Sequence, residues 1–230
     1  MRKFLFLLTF IGFLSGCSST SEIVNPNYAD FSYLALGDSY TIGESVPVEK
    51  RWPVQLVEKL RARNYNMASP KIIAKTGWTT QNLLNALETE LRVQQEFDLV
   101  SILIGVNNQY QKKSISEYET ELNELFKKAI SHSRTREKGV FALSIPDYGA
   151  TPFGEDNSET IGREIDEFNA VFRKVAEAYN VTFFNITPIS REAKYNPELT
   201  AEDKLHPSGL MYQYWVDLII DDVVKQLPEK

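Results

Sequence analysis

Asp203 and His206 are the residues of this chain whose types and spacing most directly suggest acid–base chemistry. Histidine is the side chain that most often acts as a general base near neutral pH. A carboxylate three residues before it in a turn can hold one ring nitrogen and leave the other free to accept a proton. The alternative roles are structural: Asp203 as a turn residue before a helix, and His206 as a histidine with satisfied hydrogen bonds.

A general base needs a nucleophile to activate, and Ser39 is the candidate. It follows a short apolar run that stops at Gly37-Asp38-Ser39. A serine hydroxyl is a weak nucleophile until an adjacent base takes its proton. Read alone, this stretch is equally an ordinary turn after a strand. The second histidine, His132, lies among cations at the polar end of a helical pattern, so we expect it at the surface.

Serine attack on a carbonyl group also needs donors for the negative oxygen of the intermediate. Gly77 follows the second predicted strand, where the missing side chain lets a backbone N–H approach a substrate closely. Asn107 follows the third predicted strand and offers a side-chain amide. Each is an ordinary turn residue by itself. Together with Ser39 at one sheet edge, they predict a site.

Five short apolar runs, separated by helical patterns, must position these residues. The predicted strands cover residues 31–36, 71–74, 99–104, 140–144 and 181–184. Continuously apolar runs, in place of alternating ones, indicate strands buried on both faces and hence a parallel sheet. The order predicts an α/β fold, a three-layer α/β/α sandwich with a central five-stranded parallel sheet. The loops after its strands would share one edge.

The helical patterns place apolar residues on one face at the helical period. Ser116 and Glu119 match the capping-box pattern, which predicts that a helix begins there. The last helix is predicted to begin near Ser208. We expect it to bury one apolar face, which consists of Met211, Trp215, Leu218 and Ile219.

The chain resembles the SGNH (GDSL-type) hydrolases in blocks that occur in the family's order. The blocks are Gly37-Asp38-Ser39, Gly77, Gly105-Val106-Asn107-Asn108 and Asp203-Lys204-Leu205-His206-Pro207. The resemblance extends from Tyr33 to the last helix and implies a flavodoxin-like SGNH hydrolase domain over residues 31–230.

The resemblance implies Ser39 as the nucleophile, His206 as the base and Asp203 as the residue that orients the base. It further implies an oxyanion hole made by the N–H groups of Ser39 and Gly77 and by the Asn107 side chain.

Two positions depart from the family pattern. Asn108 stands where an acid is common, which leaves its hydrogen bonding open. Lys204 stands where a small residue is frequent and could alter the rim. Neither change touches a proposed catalytic atom. The histidines lie far apart and no cluster of His and Cys residues exists, so we expect no metal site. We expect no cofactor.

The resemblance implies a serine esterase or acylhydrolase that cleaves carboxylic esters through an acyl-enzyme. The expected substrates are short-acyl esters or carbohydrate O-acetyl esters at the cell surface, within a wider class of small-molecule, glycan or lipid esters. The alternatives are a lysophospholipase- or thioesterase-like acylhydrolase, and a non-catalytic surface binding lipoprotein. Tyr40, Trp78, Tyr110 and residues 146–150 are candidates for the pocket rim, with core packing as their alternative role.

The N-terminus has the pattern of a bacterial lipoprotein signal. Arg2 and Lys3 precede an apolar run over residues 4–14, which is too short to span a bilayer. Leu14-Ser15-Gly16-Cys17 resembles a lipobox, and Cys17 is the only cysteine. We predict a signal peptide over residues 1–16, lipidation of Cys17 and a tether over 17–30. The alternative is a simple signal peptide with an incidental cysteine.

These features predict a lipid-anchored protein on the extracytoplasmic side of a bacterial cell envelope. The formal net charge is −6, and removal of Arg2 and Lys3 with the signal peptide makes it −8. An acidic body argues against a nucleic-acid partner and against charge-driven adhesion to anionic lipid. The expected membrane contact is therefore the lipid anchor alone. Nothing in the sequence predicts an oligomeric state.

Overall fold

A central parallel sheet organises residues 29–227, the part of the chain that the computed structural model describes. Its strands are β1 (Tyr33–Gly37), β2 (Lys71–Ala74), β3 (Leu99–Leu103), β4 (Val140–Leu143) and β5 (Thr182–Phe184). They lie in the order β2-β1-β3-β4-β5, and every neighbouring pair is parallel. The predicted α/β fold class is confirmed, with small shifts at the strand ends. The predicted signal peptide, Cys17 and nearly all of the tether lie outside the described residues.

Burial on both faces holds for the inner strands and fails at the sheet edges. Every residue of β1, β3 and β4 is buried. In β2 only Ile73 is buried, and in β5 Thr182 is exposed. The prediction of two-faced burial was therefore wrong for β2 and β5. Both are edge strands, where the helical layers no longer cover the sheet completely.

Helices cover both faces of the sheet. They are α1 (Ser39–Ile42), α2 (Trp52–Ala62), α3 (Thr80–Glu90), α4 (Val106–Tyr110), α5 (Ile115–Ser131), α6 (Ser158–Ala178), α7 (Thr187–Arg191) and α8 (Gly209–Val224). α2 packs against α8, whereas α5 packs against both α3 and α6. Trp52 and Trp215, on the paired helices α2 and α8, are among the largest fully buried side chains. No helix within residues 29–227 is long and apolar enough to cross a membrane.

Two helix predictions needed correction. The cap of α5 is Ser114, whose hydroxyl accepts the Glu117 N–H, and Ser116 lies inside the helix. The Ser-x-x-Glu pattern occurs twice here, offset by two residues, and the earlier copy caps the helix. The last helix does begin after Ser208, as predicted. Leu218 is nevertheless 49% exposed, while its neighbours Ile219 and Ile220 are buried.

The register of the sheet brings the candidate site residues to one edge. Gly37, the last residue of β1, pairs with Ala74 at the end of β2 and with Leu103 at the end of β3. The chain therefore leaves these three adjacent strands side by side. A side chain at Gly37 would lie 2.5 Å from the Leu103 carbonyl oxygen, so only glycine fits at this close approach.

Candidate active site

Ser39 is the first residue of the short helix α1, directly beyond β1. Asp38 caps this helix, and its Oδ1 accepts the Tyr40 N–H at 3.0 Å. The helix ends at Gly43, which has a φ of 67° in the left-handed region. Ser39 is 5% exposed, so its side chain is held at the surface of the core.

Asp38 is fully buried beside Ser39. Burial raises its pKa to about 7, although backbone hydrogen bonds oppose the shift. Among the described residues its Oδ2 has no hydrogen-bond partner. The folded chain therefore keeps a proton here at pH values where an unfolded aspartate has lost it. The contribution of Asp38 to stability accordingly falls as the pH rises from about 4 to about 7.

Asp203 and His206 form the side-chain pair that their spacing predicts. Nδ1 of His206 lies 2.6 Å from Oδ2 of Asp203. The other carboxylate oxygen, Oδ1, accepts the N–H groups of Leu205 and His206, both at 2.9 Å. The ring of Tyr40 contacts the His206 ring edge-on, with 5.6 Å between ring centroids. The imidazole is thus fixed on one side by a carboxylate and on one edge by an aromatic ring.

The pKa of Asp203 lies well below its ordinary value. Partial burial is the largest single influence and pushes this pKa upward. Hydrogen bonds from the Ser45 hydroxyl, the His206 ring and two backbone N–H groups together outweigh it. Asp203 is therefore ionised throughout the neutral pH range, as an acid that holds the Nδ1 proton of a histidine must be.

One cleft of about 200 Å³ brings four of the predicted residues together: Ser39, Gly77, Asn107 and His206. Asp203 does not line the cleft but contacts it indirectly, through its hydrogen bond to His206. Within the described chain no hydrogen bond joins the Ser39 hydroxyl to the His206 ring. Catalytic hydrogen bonds of this kind often tighten only when substrate is bound.

The two predicted oxyanion donors lie on neighbouring loops. Gly77 has a φ of 81°, the left-handed region that favours glycine. Asn107 lies in the first turn of α4, and its Nδ2 donates to the Trp78 carbonyl oxygen at 3.0 Å. That bond uses one of the two amide hydrogens and orients the other. The loop after β2 and the start of α4 therefore hold each other in place.

Asn108, which stands where the family commonly has an acid, forms side-chain hydrogen bonds to two helices. Its Oδ1 accepts the Thr80 N–H at 3.0 Å, at the start of α3. Its Nδ2 donates to Glu121 of α5 at 3.1 Å. An asparagine can accept and donate at once, whereas an ionised aspartate can only accept. Asn108 thus links the start of α3, just after the Gly77 loop, to the Glu121 carboxylate of α5.

Lys204, the other departure from the family pattern, is a turn residue. It has a φ of 62°, and its carbonyl oxygen accepts the Phe153 N–H at 3.1 Å. Its side chain is exposed and lines a separate groove beside the cleft. Among the described residues that line the cleft with Ser39 and His206, Lys204 is absent.

The cleft rim is aromatic, and the sequence identified it only in part. Tyr40 and Tyr110 line the cleft as predicted, whereas among residues 146–150 only Tyr148 does. Trp78 does not line it, and its carbonyl oxygen accepts the hydrogen bond from Asn107. Phe153 was missed. It packs against Tyr110 and Tyr148 with ring centroids 6.5 and 6.2 Å apart.

The loop that carries Tyr148 is held by contacts with two helices. Asp147 pairs with Arg191 of α7 at 2.9 Å, and its backbone N–H donates to the Ser190 hydroxyl at 2.8 Å. The Tyr148 hydroxyl donates to Gln109 at 3.0 Å. The rim is thus tied to α4 and α7. Among the described residues, no group of three His, Cys, Asp or Glu side chains could hold a metal ion.

We expect Asn107→Ala to lower kcat for an activated acetyl ester by about 10²–10³-fold, because one donor to the oxyanion is lost. KM should change little, since the donor is stronger in the transition state than in the bound substrate. The matched control is Asn85→Ala, an exposed asparagine on α3. Wild-type kcat in Asn107→Ala would exclude its side chain from the oxyanion hole.

Comparison with known proteins gives one family and a set of similar structures. The model of the GDSL-like lipase/acylhydrolase family matches residues 35–214. The psychrotrophic esterase EstA from Pseudoalteromonas sp. is similar in structure, with a TM-score of 0.65 and 22% identity over 85% of this chain and 98% of that one. No sequence among the curated proteins matches the chain.

Two further structures show the same likeness. The acetylxylan esterase Axe2 from Geobacillus stearothermophilus has a TM-score of 0.64 and 20% identity, over 88% of this chain and 98% of that one. LAE5, an alpha/beta hydrolase enzyme from the metagenome of Lake Arreo, Spain, has a TM-score of 0.66 and 18% identity, over 87% and 98%. At these identities the likeness shows a shared fold.

Proposed function

The chain belongs to the GDSL-like lipase/acylhydrolase family and is an ester hydrolase; from that premise we propose that it cleaves carboxylic esters through an acyl-enzyme on Ser39. The observation that carries the proposal is the single cleft that Ser39, His206, Gly77 and Asn107 line together. Asp203, bonded to His206 at 2.6 Å, completes the set.

In the first half-reaction the Ser39 oxygen attacks the ester carbonyl carbon. His206 takes the hydroxyl proton on Nε2, while Asp203 holds the proton on Nδ1. The carbonyl oxygen becomes negative, and the N–H groups of Ser39 and Gly77 and the Asn107 amide stabilise it. The tetrahedral intermediate then expels the alcohol, which receives the proton from His206. The acyl group remains on Ser39.

In the second half-reaction water replaces the alcohol. His206 takes a proton from the water as the water oxygen attacks the acyl carbon, and the same donors stabilise the second oxyanion. Collapse of this intermediate returns the proton to the Ser39 oxygen and releases the carboxylic acid. The cycle consumes one ester and one water and needs no redox partner.

The proposed substrates are short-acyl esters, in particular O-acetyl esters of carbohydrates. The cleft of about 200 Å³ is smaller than the roughly 300–1,000 Å³ that is usual for drug-sized ligands. Axe2, whose structure is similar, is an acetylxylan esterase, which supports the same chemistry here. The aromatic side chains of Tyr110 and Phe153 at the cleft entrance are exposed to solvent. This leaves room outside the cleft for a bulky alcohol part of the ester.

The second candidate is an acylhydrolase for longer chains, such as a lysophospholipase or a thioesterase. The observation in its favour is the packed set of Tyr110, Tyr148 and Phe153, because an extended acyl chain could lie on these rings. The two candidates differ in where they place apolar surface. An acetyl group needs only the cleft, whereas a long chain needs the aromatic rim as well.

A series of p-nitrophenyl esters from acetyl to palmitoyl distinguishes these candidates. We expect kcat/KM to be highest for acetyl or propionyl and to fall by at least about tenfold at eight carbons, because a small site excludes extra methylene groups. Phe153→Ala serves as the rim control and should leave acetyl ester hydrolysis within about twofold. A maximum at eight or more carbons that Phe153→Ala abolishes would support the long-chain candidate instead.

We further propose that the protein is anchored to the bacterial cell envelope through lipid on Cys17. The supporting pattern is Leu14-Ser15-Gly16-Cys17 after a short apolar run. Cys17→Ser should move the protein from the membrane fraction to the soluble fraction, with esterase activity retained. Unchanged membrane retention of Cys17→Ser would contradict lipidation at this residue.

A further inference from the structure

A hydroxyl group outside the predicted site, that of Ser45, donates a hydrogen bond to Oδ2 of Asp203. The same oxygen receives the hydrogen bond from His206 Nδ1. Ser45 is 158 positions before Asp203 in the sequence. It lies just after Gly43, in the loop that follows α1. The fold therefore brings the loop that follows Ser39 and α1 into contact with Asp203.

Ser45 differs from the other donors to this carboxylate in where it comes from. The Asp203 side chain accepts hydrogen bonds from the backbone N–H groups of Leu205 and His206 and from Nδ1 of the His206 ring. All of these belong to the same turn as Asp203. Among the described residues, Ser45 alone hydrogen-bonds the carboxylate from another part of the chain, and that part carries Ser39.

The backbone of Ser45 has a conformation that is uncommon for a residue with a side chain. Its φ is 63°, in the left-handed region where glycine is favoured and a residue with a Cβ is strained. Gly43, two positions earlier, has a similar φ of 67° and is a glycine. Position 45 has a serine despite this φ, and its side chain hydrogen-bonds Asp203.

We propose that Ser45 is a positioning residue that fixes the Asp203 carboxylate, so that the His206 ring faces Ser39. It acts through Asp203 and does not touch the substrate, since it stands apart from the described residues that line the cleft. The proposal rests on the proposed function, because a positioning role requires that Asp203 and His206 work in ester hydrolysis.

The test begins with Ser45→Ala and an activated acetyl ester. We expect kcat to fall about tenfold, the effect of losing one hydrogen bond to a charged group. KM should stay within about twofold, because the cleft is unchanged. Ser116→Ala, which removes an exposed hydroxyl on α5, is the matched control and should retain wild-type kcat.

Ser45→Gly separates the hydroxyl from the backbone. Glycine accepts a positive φ without strain, so this variant lacks only the side chain. We expect the same loss of kcat as in Ser45→Ala. Wild-type kcat in Ser45→Gly would show that the loop conformation matters and the hydroxyl does not, and would overturn the proposal.

A double-mutant cycle with Asp203→Ala tests whether Ser45 acts through Asp203. Without the carboxylate, Ser45→Ala should cost less than about twofold, because its partner is already gone. Independent, multiplying losses would overturn the proposal, and so would wild-type kcat in Ser45→Ala alone. If the wild-type protein hydrolyses no ester, the proposed function itself fails and the role of Ser45 falls with it.

Discussion

Replacing Ser39 with alanine should lower kcat for an activated acetyl ester by about 10⁶-fold. The reason is covalent: the attacking oxygen is gone, and the donors around it can stabilise no acyl-enzyme intermediate. The side chain is small and lies at the cleft, so we expect the variant to fold normally. Steady-state hydrolysis, with thermal unfolding as the check on folding, measures both expectations.

Ser116→Ala again serves as the control, since it loses a hydroxyl that lies on the exposed face of α5. Its rate should equal that of the wild type within error. Retention of more than about 1% of wild-type kcat in Ser39→Ala would mean that another group attacks the ester. The acyl-enzyme would then have to be sought elsewhere.

Asp203→Asn should lower kcat by about 10⁴-fold, the loss seen for the same change in serine proteases. Asparagine matches aspartate in shape and can still accept the N–H groups of Leu205 and His206 through one oxygen. Its NH₂ group, however, cannot accept the proton of His206 Nδ1. The ring would then adopt the wrong tautomer, with no lone pair facing Ser39.

The rate of Asp203→Asn is measured as kcat/KM across the pH range. The low pKa of Asp203 keeps it ionised from mildly acidic pH upward, so the deficit should persist throughout the neutral range. Asp222→Asn is the control, because the Asp222 side chain forms an exposed ion pair with Lys225. A loss of less than tenfold in Asp203→Asn would remove Asp203 from the mechanism.

The sequence predicted most of the residues that the fold brings together in the candidate site, because the expected chemistry depends on rare residue types and on strand ends. With two histidines in the chain, the choice of base was narrow, and Asp203 stood three positions away. Short runs rich in apolar and β-branched residues have a strong signal, so the ends of β1, β2 and β3 could be located within a few residues. Gly77 and Asn107 then followed from their places after those strands.

What the sequence missed depends on contacts between distant segments. Ser45 is a polar loop residue without periodicity, and only the folded chain brings it to Asp203. Phe153 resembles any aromatic residue near a turn until it packs against Tyr110. Local ambiguity accounts for the cap of α5, where two overlapping Ser-x-x-Glu patterns compete. Exposure of Leu218 reflects how α8 is rotated against its neighbours, which helical period alone does not determine.

Covalent labelling with a fluorophosphonate tests the assignment of Ser39 most directly, because the reagent modifies only an activated nucleophile and mimics the tetrahedral intermediate. Peptide mass spectrometry should find one phosphonyl adduct, on Ser39, with parallel loss of esterase activity. Ser39→Ala should remain unlabelled, and Asp203→Asn should be labelled much more slowly. An adduct on another residue, or full inactivation with Ser39 unmodified, would contradict Ser39 as the nucleophile.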